Sequence, residues 1–218
     1  MNSFNVHALF PISVFTIQYH NHSKFKNFFF EYLKKNQDKI ETSHYHENLQ
    51  HINNTPNTNF LNDIKNELDF EDFLLNSCKF YINEIIGNEV DELIVTDCWI
   101  NICGNEAFQP LHNHGNSYIS GTYYLNYDPE SHSHLRINSP YQGKDPGVPF
   151  LNINPKKYTE FNGKEVTCSF IQEGMLVLWP SNLVHGYSEN TGENRISISM
   201  NFMPKQFISG PYSFTINR

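Results

Sequence analysis

The pattern of apolar and polar positions changes character at Gly87. Before this residue, apolar side chains recur at three- and four-residue spacing, which is the repeat of amphipathic helices. After it, apolar and polar side chains alternate in short runs, which is the repeat of β-strands. Helices followed by a dense set of short strands predict an α+β fold, in which helices brace one face of a β-sandwich or double-sheet jelly roll.

The first part of the chain predicts one short strand and two helical regions. Residues 10–18 alternate well enough for the strand. Ser23 is expected to cap the first helix, and the second helical region is expected to run from Asn59 to Ile86 and to stop at Gly87. Residues 42–59 are rich in Asn, His and Thr without periodicity, so we predict a surface loop there.

The second part of the chain predicts many strands separated by turns. Residues 127–165 carry five prolines, and connections of this length often form lids or binding loops. The predicted strands are Glu92–Cys103, Ile119–Asn126, His134–Asn138, Pro149–Ile153, Val166–Ile171, Met175–Trp179, Arg195–Met203 and Tyr212–Ile216.

The predicted strand Arg195–Met203 carries an unusual polar face. Alternation puts its polar side chains on one side and its apolar side chains on the other. A polar face directed inward, with the apolar face against helices, is the reverse of a simple sandwich core and predicts a lined pocket. The polar set is Arg195, Ser197, Ser199 and Asn201, and the apolar set is Ile196, Ile198, Met200 and Phe202.

Histidines supply the candidate metal ligands. His112 and His114 stand one residue apart at the start of an alternating run, so an extended backbone would place both imidazoles on the same face. A third histidine, His185, follows an apolar strand and a Pro turn at Trp179-Pro180. Other His-x-His pairs are expected on solvated loops or helix ends, at 20 and 22, 44 and 46, and 132 and 134.

Length and composition favour a single domain. The chain has 218 residues, of which 39% are apolar, enough for one substantial core. We expect one domain over residues 1–218, with a helical part at about 20–87 and a β-core at about 91–218. The net charge of −8, with scattered Lys and Arg, argues against nucleic acid as a partner.

Neither export nor membrane insertion is predicted. Residues 1–15 lack a basic segment, and no apolar run approaches the roughly 20 residues of a membrane helix. The cysteines form no Cys-x-x-Cys pair, so reduced and mostly buried thiols are expected at Cys78, Cys98, Cys103 and Cys168. We therefore expect a cytoplasmic protein without a membrane partner.

Taken in order, these motifs resemble the iron(II)- and 2-oxoglutarate-dependent dioxygenases. The resemblance is to a branch of bacterial and phage oxygenases and covers roughly Trp99 to Phe202. It implies a cupin-like double-stranded β-helix that holds iron at one open end. The matching residues are His112-x-His114, Ser120-Gly-Thr-Tyr-Tyr124, Pro180-x-x-x-x-His185 and Arg195-x-Ser197.

The resemblance implies that His112, His114 and His185 bind Fe(II). The family usually has Asp or Glu where His114 stands, so this site would lose one negative charge. We favour a three-histidine site. In the alternative, one histidine lies outside the metal's first coordination sphere and a carboxylate such as Asp97 or Asp128 reaches the iron.

The resemblance also implies a site for 2-oxoglutarate. Arg195 matches the distal carboxylate of this diacid, and Ser197 and Tyr124 share its pocket, while Tyr123 should pack outward. The reaction would convert 2-oxoglutarate and O2 into succinate and carbon dioxide and hydroxylate a prime substrate. Ascorbate could serve as an additional reductant.

Two other functions fit the same motifs. One is a cupin-type three-histidine dioxygenase that does not use 2-oxoglutarate, which explains His114 better and Arg195 worse. The other is a catalytically silent jelly roll that binds metal or ligand. Individual residues also have simpler interpretations, with Arg195 as a surface ion-pair residue, Tyr124 as a strand-packing residue, and Trp99 and Trp179 as core aromatics.

Overall fold

Helices occupy much of the chain before residue 87 in the computed structural model, which describes residues 11–53, 59–140, 156–157, 159 and 163–217. Among the described residues, no helix is long and apolar enough to cross a membrane. The α-helices in this part of the chain are α1 (His22–Lys35), α2 (Phe60–Ile64) and α3 (Phe70–Phe80).

Short strands fill most of the remaining described chain. They are β1 (Phe15–Gln18), β2 (Glu41–Thr42), β3 (Leu49–Ile52), β4 (Leu93–Cys103), β5 (Gln109–His112), β6 (Ile119–Asn126), β7 (Arg136–Asn138), β8 (Glu165–Thr167), β9 (Met175–Pro180), β10 (His185–Tyr187), β11 (Arg195–Pro204), β12 (Gln206–Ser209) and β13 (Tyr212–Thr215).

These strands form two antiparallel sheets and a terminal hairpin. The larger sheet has the order β1-β9-β6-β11-β4-β3-β2, and the smaller has the order β5-β10-β7-β8. Consecutive strands alternate between the two sheets through the middle of the chain, from β4 to β7, as in a double-stranded β-helix. The predicted α+β fold with a jelly roll braced by helices is confirmed.

The helices cover the outer face of the larger sheet. Ile198 and Met200 of β11 are fully buried there together with Phe25 of α1 and Phe70 of α3, whose rings stack with centroids 4.1 Å apart. Each such side chain stabilises the fold by ~1.5–3 kcal/mol through burial. The predicted alternation of β11 is therefore correct, because its apolar side chains meet the helices and leave its polar side chains for the other face.

The start of α1 differs from the prediction. Ser23 does not cap the helix, since the helix begins at His22 and no side chain caps it from the preceding Asn21. His22 instead anchors α1 to the sheet: its Nδ1 lies 2.6 Å from the Tyr123 hydroxyl and its Nε2 lies 3.1 Å from Glu173. Tertiary contacts, rather than a local capping bond, hold this helix end.

The second helical region is broken where a continuous periodicity predicted one helix. After α2, which Asn59 caps by accepting a hydrogen bond from the Leu61 N–H at 2.9 Å, the backbone becomes left-handed at Lys65. A 3-10 turn then leads into α3, which continues as a π-helical segment, Tyr81–Ile86. The predicted end at Gly87 is confirmed, since Gly87 has a φ of 84°.

The loop predicted at residues 42–59 is wrong in its middle. β3 lies there, pairs with β4 and extends the larger sheet, and its Leu49 and Ile52 are buried. Pairing with β4 therefore forms a strand here, although the local sequence has no β-strand periodicity. Residues 54–58 and the strand predicted at 149–153 lie outside the described residues, and of the strand predicted at 10–18 the described part forms only β1.

Candidate metal centre and cosubstrate pocket

Strand pairing brings two of the candidate histidines together. His112 ends β5, His185 begins β10, and the two residues are directly opposite each other in the antiparallel pair. Gly186 allows this close approach, because a Cβ at that position would come within 2.6 Å of the Gln109 carbonyl oxygen. The register of the smaller sheet therefore positions two imidazoles at its end.

The third histidine arrives by a different route from the one predicted. His114 does not share a strand with His112, since β5 ends at His112 and the chain then turns toward β6. The backbone N–H of His114 donates to the Ser181 carbonyl at 3.0 Å, which fixes the turn. The turn, rather than strand alternation, brings the His114 ring beside the other two.

The three imidazoles converge on one point. One candidate ligand atom from each of His112, His114 and His185 lies within 4.8 Å of the other two, and the ring centroids are 4.5 to 5.2 Å apart. In the described part of the chain, this is the only group of His, Cys, Asp or Glu side chains with such spacing. The other His-x-His pairs contribute to no such group there.

Backbone carbonyls fix the tautomer of two of these rings. Nδ1 of His112 lies 2.7 Å from the Pro110 carbonyl oxygen, and Nδ1 of His185 lies 2.8 Å from that of Leu183. A carbonyl only accepts, so each of these contacts requires the proton on Nδ1. The indole N–H of Trp179 also lies 3.3 Å from His185 Nδ1, and the shorter contact to the carbonyl decides the assignment. Nε2 of both rings is then free to bind a metal, which is the arrangement usual for histidine ligands.

Burial keeps His114 and His185 neutral. It lowers the pKa of His185 to about 3, and it lowers the pKa of His114 to about 4 with a further contribution from neighbouring His112. Neutral imidazole is the form that binds a metal ion. These two donors therefore fit Fe(II) without first losing protons at neutral pH.

No carboxylate joins the cluster within the described residues. Asp97 accepts a hydrogen bond from the Thr96 hydroxyl at 2.9 Å, and Asp128 holds a turn by accepting from Ser131 Oγ and the Glu130 N–H. Neither belongs to the group of converging ligand atoms. The arrangement supports three histidines over the alternative with Asp97 or Asp128.

A cavity of about 210 Å³ extends from the histidines between the two sheets. Its wall on the larger sheet includes inward-facing side chains from β6 and β11, among which Tyr124 pairs with Ser197 and Thr122 pairs with Ser199. These side chains are Ser120, Thr122, Tyr124, Arg195, Ser197 and Ser199. The pocket predicted from the polar face of β11 is therefore present.

Arg195 lies buried in this cavity wall, with 1% of its surface exposed. Its Nε donates to the Ser133 carbonyl at 3.2 Å, and its guanidinium carbon lies 4.3 Å from the ring centre of Tyr187. Among the described residues, no acidic side chain forms an ion pair with it. A surface ion-pair role is excluded by its burial, and an unpaired buried cation calls for an anionic ligand.

Tyr124 and Ser197 accompany Arg195 as predicted. The two residues are paired across β6 and β11, and both are buried in the cavity wall. The Tyr124 ring centre lies 5.4 Å from the Arg195 guanidinium carbon. Tyr123 faces the helices instead and meets His22, so the predicted division of the two tyrosines is correct.

Trp99 and His51 are among the residues of the cavity wall that had no predicted role there. Trp99 is half-buried and lines the cavity beside His114, with ring centroids 5.9 Å apart. Of the two tryptophans predicted as core aromatics, Trp179 is the buried one. His51 lines the same cavity from β3. Inward alternation along β4 could have identified Trp99, but His51 could not be found because its strand was not predicted.

Comparisons with known proteins agree with this geometry. A family model described as "Putative 2OG-Fe(II) oxygenase" matches residues 97–201, a span that holds all three histidines and Arg195. The matched span is just under half of the chain. No curated protein sequence matches the chain.

Solved structures show the same fold at low sequence identity. A Pseudomonas putida prolyl-4-hydroxylase is 15% identical, with a TM-score of 0.54 over 88% of this chain and 92% of that one. The epimerase SnoN from nogalamycin biosynthesis is 9% identical, with a TM-score of 0.61 over 89% and 77%. HygX from Streptomyces hygroscopicus, solved with iron, is 13% identical, with a TM-score of 0.56 over 88% and 82%.

Proposed function

We propose that the chain is a 2OG-Fe(II) oxygenase that uses iron(II), 2-oxoglutarate and O2 to hydroxylate a prime substrate in the cavity between its two sheets. The observation that carries the proposal is Arg195, a buried cation without an acidic partner among the described residues, in the same cavity as three converging histidines. One end of the cavity fits a metal and the other fits a carboxylate. A five-carbon keto diacid satisfies both ends at once.

His112, His114 and His185 would hold the iron. Two of them are already set in the tautomer that leaves Nε2 free, so little reorganisation is needed on binding. Three neutral ligands leave the bound Fe(II) with its full positive charge, whereas a carboxylate would cancel part of it. When bound, Fe(II) supplies the redox chemistry that activates O2 toward 2-oxoglutarate and the prime substrate.

Arg195 would bind the distal carboxylate of 2-oxoglutarate through its planar guanidinium. The Ser197 hydroxyl, two residues further along the same face of β11, would add one hydrogen bond to the same carboxylate. Tyr124 closes the pocket beside the guanidinium and helps to keep water from it. These three side chains therefore fix the position of the diacid while its keto acid group points toward the histidines.

The reaction balances with O2 as the oxidant. One oxygen atom enters the carboxylate of succinate as 2-oxoglutarate loses carbon dioxide, and the other replaces the hydrogen of a substrate C–H bond with a hydroxyl group. The residues that line the cavity exclude bulk water, which strengthens the electrostatic contacts to the diacid. Hydroxylation, as opposed to another oxidation by the same superfamily, is part of the proposal.

A cupin-type dioxygenase without 2-oxoglutarate has one observation in its favour, the lack of a carboxylate at the metal cluster in the described residues. It leaves the buried guanidinium of Arg195 without a function, unless the substrate itself is an acid. The fate of 2-oxoglutarate decides between the two activities, and consumption of oxygen excludes a silent metal-binding module.

The direct test is cosubstrate turnover. Iron(II)-loaded protein is mixed with 2-oxoglutarate under nitrogen, its absorption spectrum is recorded, and O2 is then admitted. We expect a new absorption band on anaerobic mixing and succinate after oxygen, even if slowly without a prime substrate. No spectral change and no succinate would contradict the proposal, and oxygen consumption without succinate would favour the cupin-type activity.

Asn201 would orient His114. Nδ2 of Asn201 lies 3.3 Å from His114 Nδ1, and Ser120 Oγ donates to Asn201 Oδ1 at 2.8 Å and lies 2.9 Å from Ser181 Oγ. One hydroxyl cannot donate to both of its neighbours. Iron binding at His114 Nε2 requires the Asn201 amide to turn over by 180°, so that its oxygen accepts from His114 Nδ1–H, its NH2 donates to Ser120 Oγ, and Ser120 donates to Ser181 Oγ.

Removing this acceptor should weaken the metal site. We expect Asn201→Leu to raise the dissociation constant for Fe(II) by roughly 10- to 100-fold, the usual effect of losing a partner of a histidine ligand. Asn201→Asp should retain the metal, because a carboxylate also accepts from Nδ1–H. Metal titration under nitrogen measures both variants, and equal metal affinity in wild type and Asn201→Leu would contradict the assignment.

Domain extent, cellular location and further partners follow from composition and cysteine state. We propose one domain spanning residues 1–218 and a cytoplasmic location, which the free and buried state of all four cysteines supports. The acidic net charge supports the absence of a nucleic-acid partner. Ascorbate as a reductant is testable in the same succinate assay.

A further inference from the structure

The cavity is small for the two molecules that it has to hold under the proposed function, on which this inference rests. Its volume is about 210 Å³, whereas sites for drug-sized ligands usually measure roughly 300–1,000 Å³. A 2-oxoglutarate held between the histidines and Arg195 takes up much of this space. Only a short group of the prime substrate then fits inside, and the body of the substrate must lie at the mouth.

The turn between β2 and β3 forms one side of this mouth. Among the described residues that line the cavity, His44 and Tyr45 in this turn are the exposed ones, and 43% of the Tyr45 surface is accessible. The cavity therefore opens to solvent beside Tyr45, far in exposure from the buried Arg195. An aromatic side chain lies where the body of the substrate would pass.

Hydrogen bonds hold this turn in place although it is exposed. The Gly104 N–H donates to the Asn48 carbonyl at 2.8 Å, which ties the turn to the end of β4, and the Tyr45 N–H donates to Ser43 Oγ at 3.2 Å. The rings of His44 and Tyr45 lie side by side, with centroids 3.8 Å apart. A side chain that is positioned before binding loses less conformational entropy on binding, so Tyr45 is suited to a ligand contact.

Trp99 supplies a second flat surface in the same cavity. It is half-buried on β4, and its ring lies beside that of the metal-site residue His114, with centroids 5.9 Å apart. Aromatic rings attract other rings through their faces and edges, beyond the gain from burial alone. A ring held by these two side chains would direct its substituent toward the metal site.

The charges of the loaded site disfavour a cation at this mouth. No Asp, Glu or Lys is among the described residues that line the cavity, and the metal ligands are imidazoles, which bring no negative charge. Arg195 and an iron(II) ion therefore carry one positive charge more than the two carboxylates of 2-oxoglutarate cancel. Aromatic faces also attract ammonium groups, but a net positive centre nearby opposes that attraction.

We propose that Tyr45 and Trp99 form a binding subsite for a planar aromatic ring of the prime substrate, a ring without a positive charge. A short substituent of this ring enters the cavity, and the hydroxylated carbon belongs to that substituent. The two aromatic residues are then specificity residues, distinct from the residues that hold iron and the diacid.

Three probes of similar size test the subsite. Benzyl alcohol carries a neutral aromatic ring, cyclohexylmethanol has a saturated ring in its place, and benzylammonium keeps the aromatic ring and adds a positive charge. Isothermal titration of each probe into protein loaded with iron(II) and 2-oxoglutarate under nitrogen gives the dissociation constants. We expect wild type to bind benzyl alcohol more tightly than benzylammonium.

Two variants and two controls assign the binding to these rings. Tyr45→Leu and Trp99→Leu remove a flat face but keep apolar surface, so each should weaken benzyl alcohol binding roughly 2- to 10-fold and change cyclohexylmethanol binding little. Tyr45→Phe keeps the ring and should behave as wild type. So should Tyr212→Leu, which changes an exposed tyrosine of β13 outside the cavity.

Three results would overturn the proposal. They are an equal effect of Tyr45→Leu on the two neutral probes, tighter binding of benzylammonium than of benzyl alcohol, and no binding of any probe to wild type. Tyr45 is exposed, so its replacement should leave folding intact and the test remains valid if Trp99→Leu misfolds.

Failure of the subsite can be distinguished from failure of the proposed function. The affinities for iron(II) and 2-oxoglutarate should be the same in wild type and Tyr45→Leu. Succinate formation by a protein whose benzyl alcohol binding does not depend on Tyr45 would overturn the subsite alone. Ring binding through Tyr45 without any succinate formation would contradict the proposed function and leave the subsite intact.

Discussion

We expect His112→Ala to abolish iron binding and His20→Ala to leave it unchanged. His112 is one of three imidazoles within 4.8 Å, and losing it leaves two neutral ligands with no carboxylate in reach among the described residues. The loss of affinity should exceed the roughly 100-fold that removal of a supporting partner causes. Fe(II) titration under nitrogen measures it, with His20 as an exposed histidine outside the cluster.

Thermal unfolding provides a control for misfolding of the His112→Ala variant. His112 is only half-buried at the end of β5, so its truncation should change thermal unfolding of the metal-free protein little. The melting temperature of wild type should rise with added Fe(II), and that of the variant should not, because a ligand stabilises only the state that binds it. Equal metal affinity in wild type and His112→Ala would place the iron elsewhere.

Period-two patterning was enough to predict much of the β-core. β6 was predicted at its observed bounds, β4 and β11 within one residue at each end, and the inward face of β11 with its arginine was assigned correctly. These strands lie at the centre of the larger sheet, where one face meets helices and the other a cavity. A strand between two such different environments must alternate strictly between apolar and polar side chains, and this alternation can be recognised in a single sequence.

The edges of the sheets were less predictable. β3 has four residues and β10 has three, too short to show a repeat, and each is stabilised by pairing with a partner distant in sequence. His51 was therefore placed in a loop. The turn that carries His114 was likewise interpreted as strand, and His114 converges with His112 only because Ser181 fixes its backbone.

Arg195→Met should separate cosubstrate binding from metal binding. The variant removes the guanidinium and keeps a side chain of similar length, so the metal site should retain its Fe(II) affinity. Taking one partner from a buried ion pair costs about 3–5 kcal/mol, which corresponds to a loss of 2-oxoglutarate affinity of roughly 100- to 4,000-fold. Titration of 2-oxoglutarate into the iron-loaded protein under nitrogen measures this loss.

Although Arg195→Met should weaken 2-oxoglutarate binding, it should not lower the stability of the ligand-free protein. Arg195 is 1% exposed and forms no ion pair within the described residues, so without 2-oxoglutarate it is a desolvated charge that destabilises the fold. Methionine in its place buries apolar surface instead. We expect the melting temperature of metal-free Arg195→Met to equal or exceed that of wild type, and the further rise that 2-oxoglutarate gives to iron-loaded wild type to disappear.

Arg195→Lys provides the matched control for charge. Lysine keeps the positive charge but lacks the planar two-pronged donor. Its compact ammonium group also cannot stack on the tyrosine rings as a guanidinium does. Its 2-oxoglutarate affinity should fall between those of wild type and Arg195→Met. If Arg195→Met and His112→Ala lose Fe(II) to the same extent, the guanidinium supports the metal site itself, and the division of the cavity into an iron end and a carboxylate end is wrong.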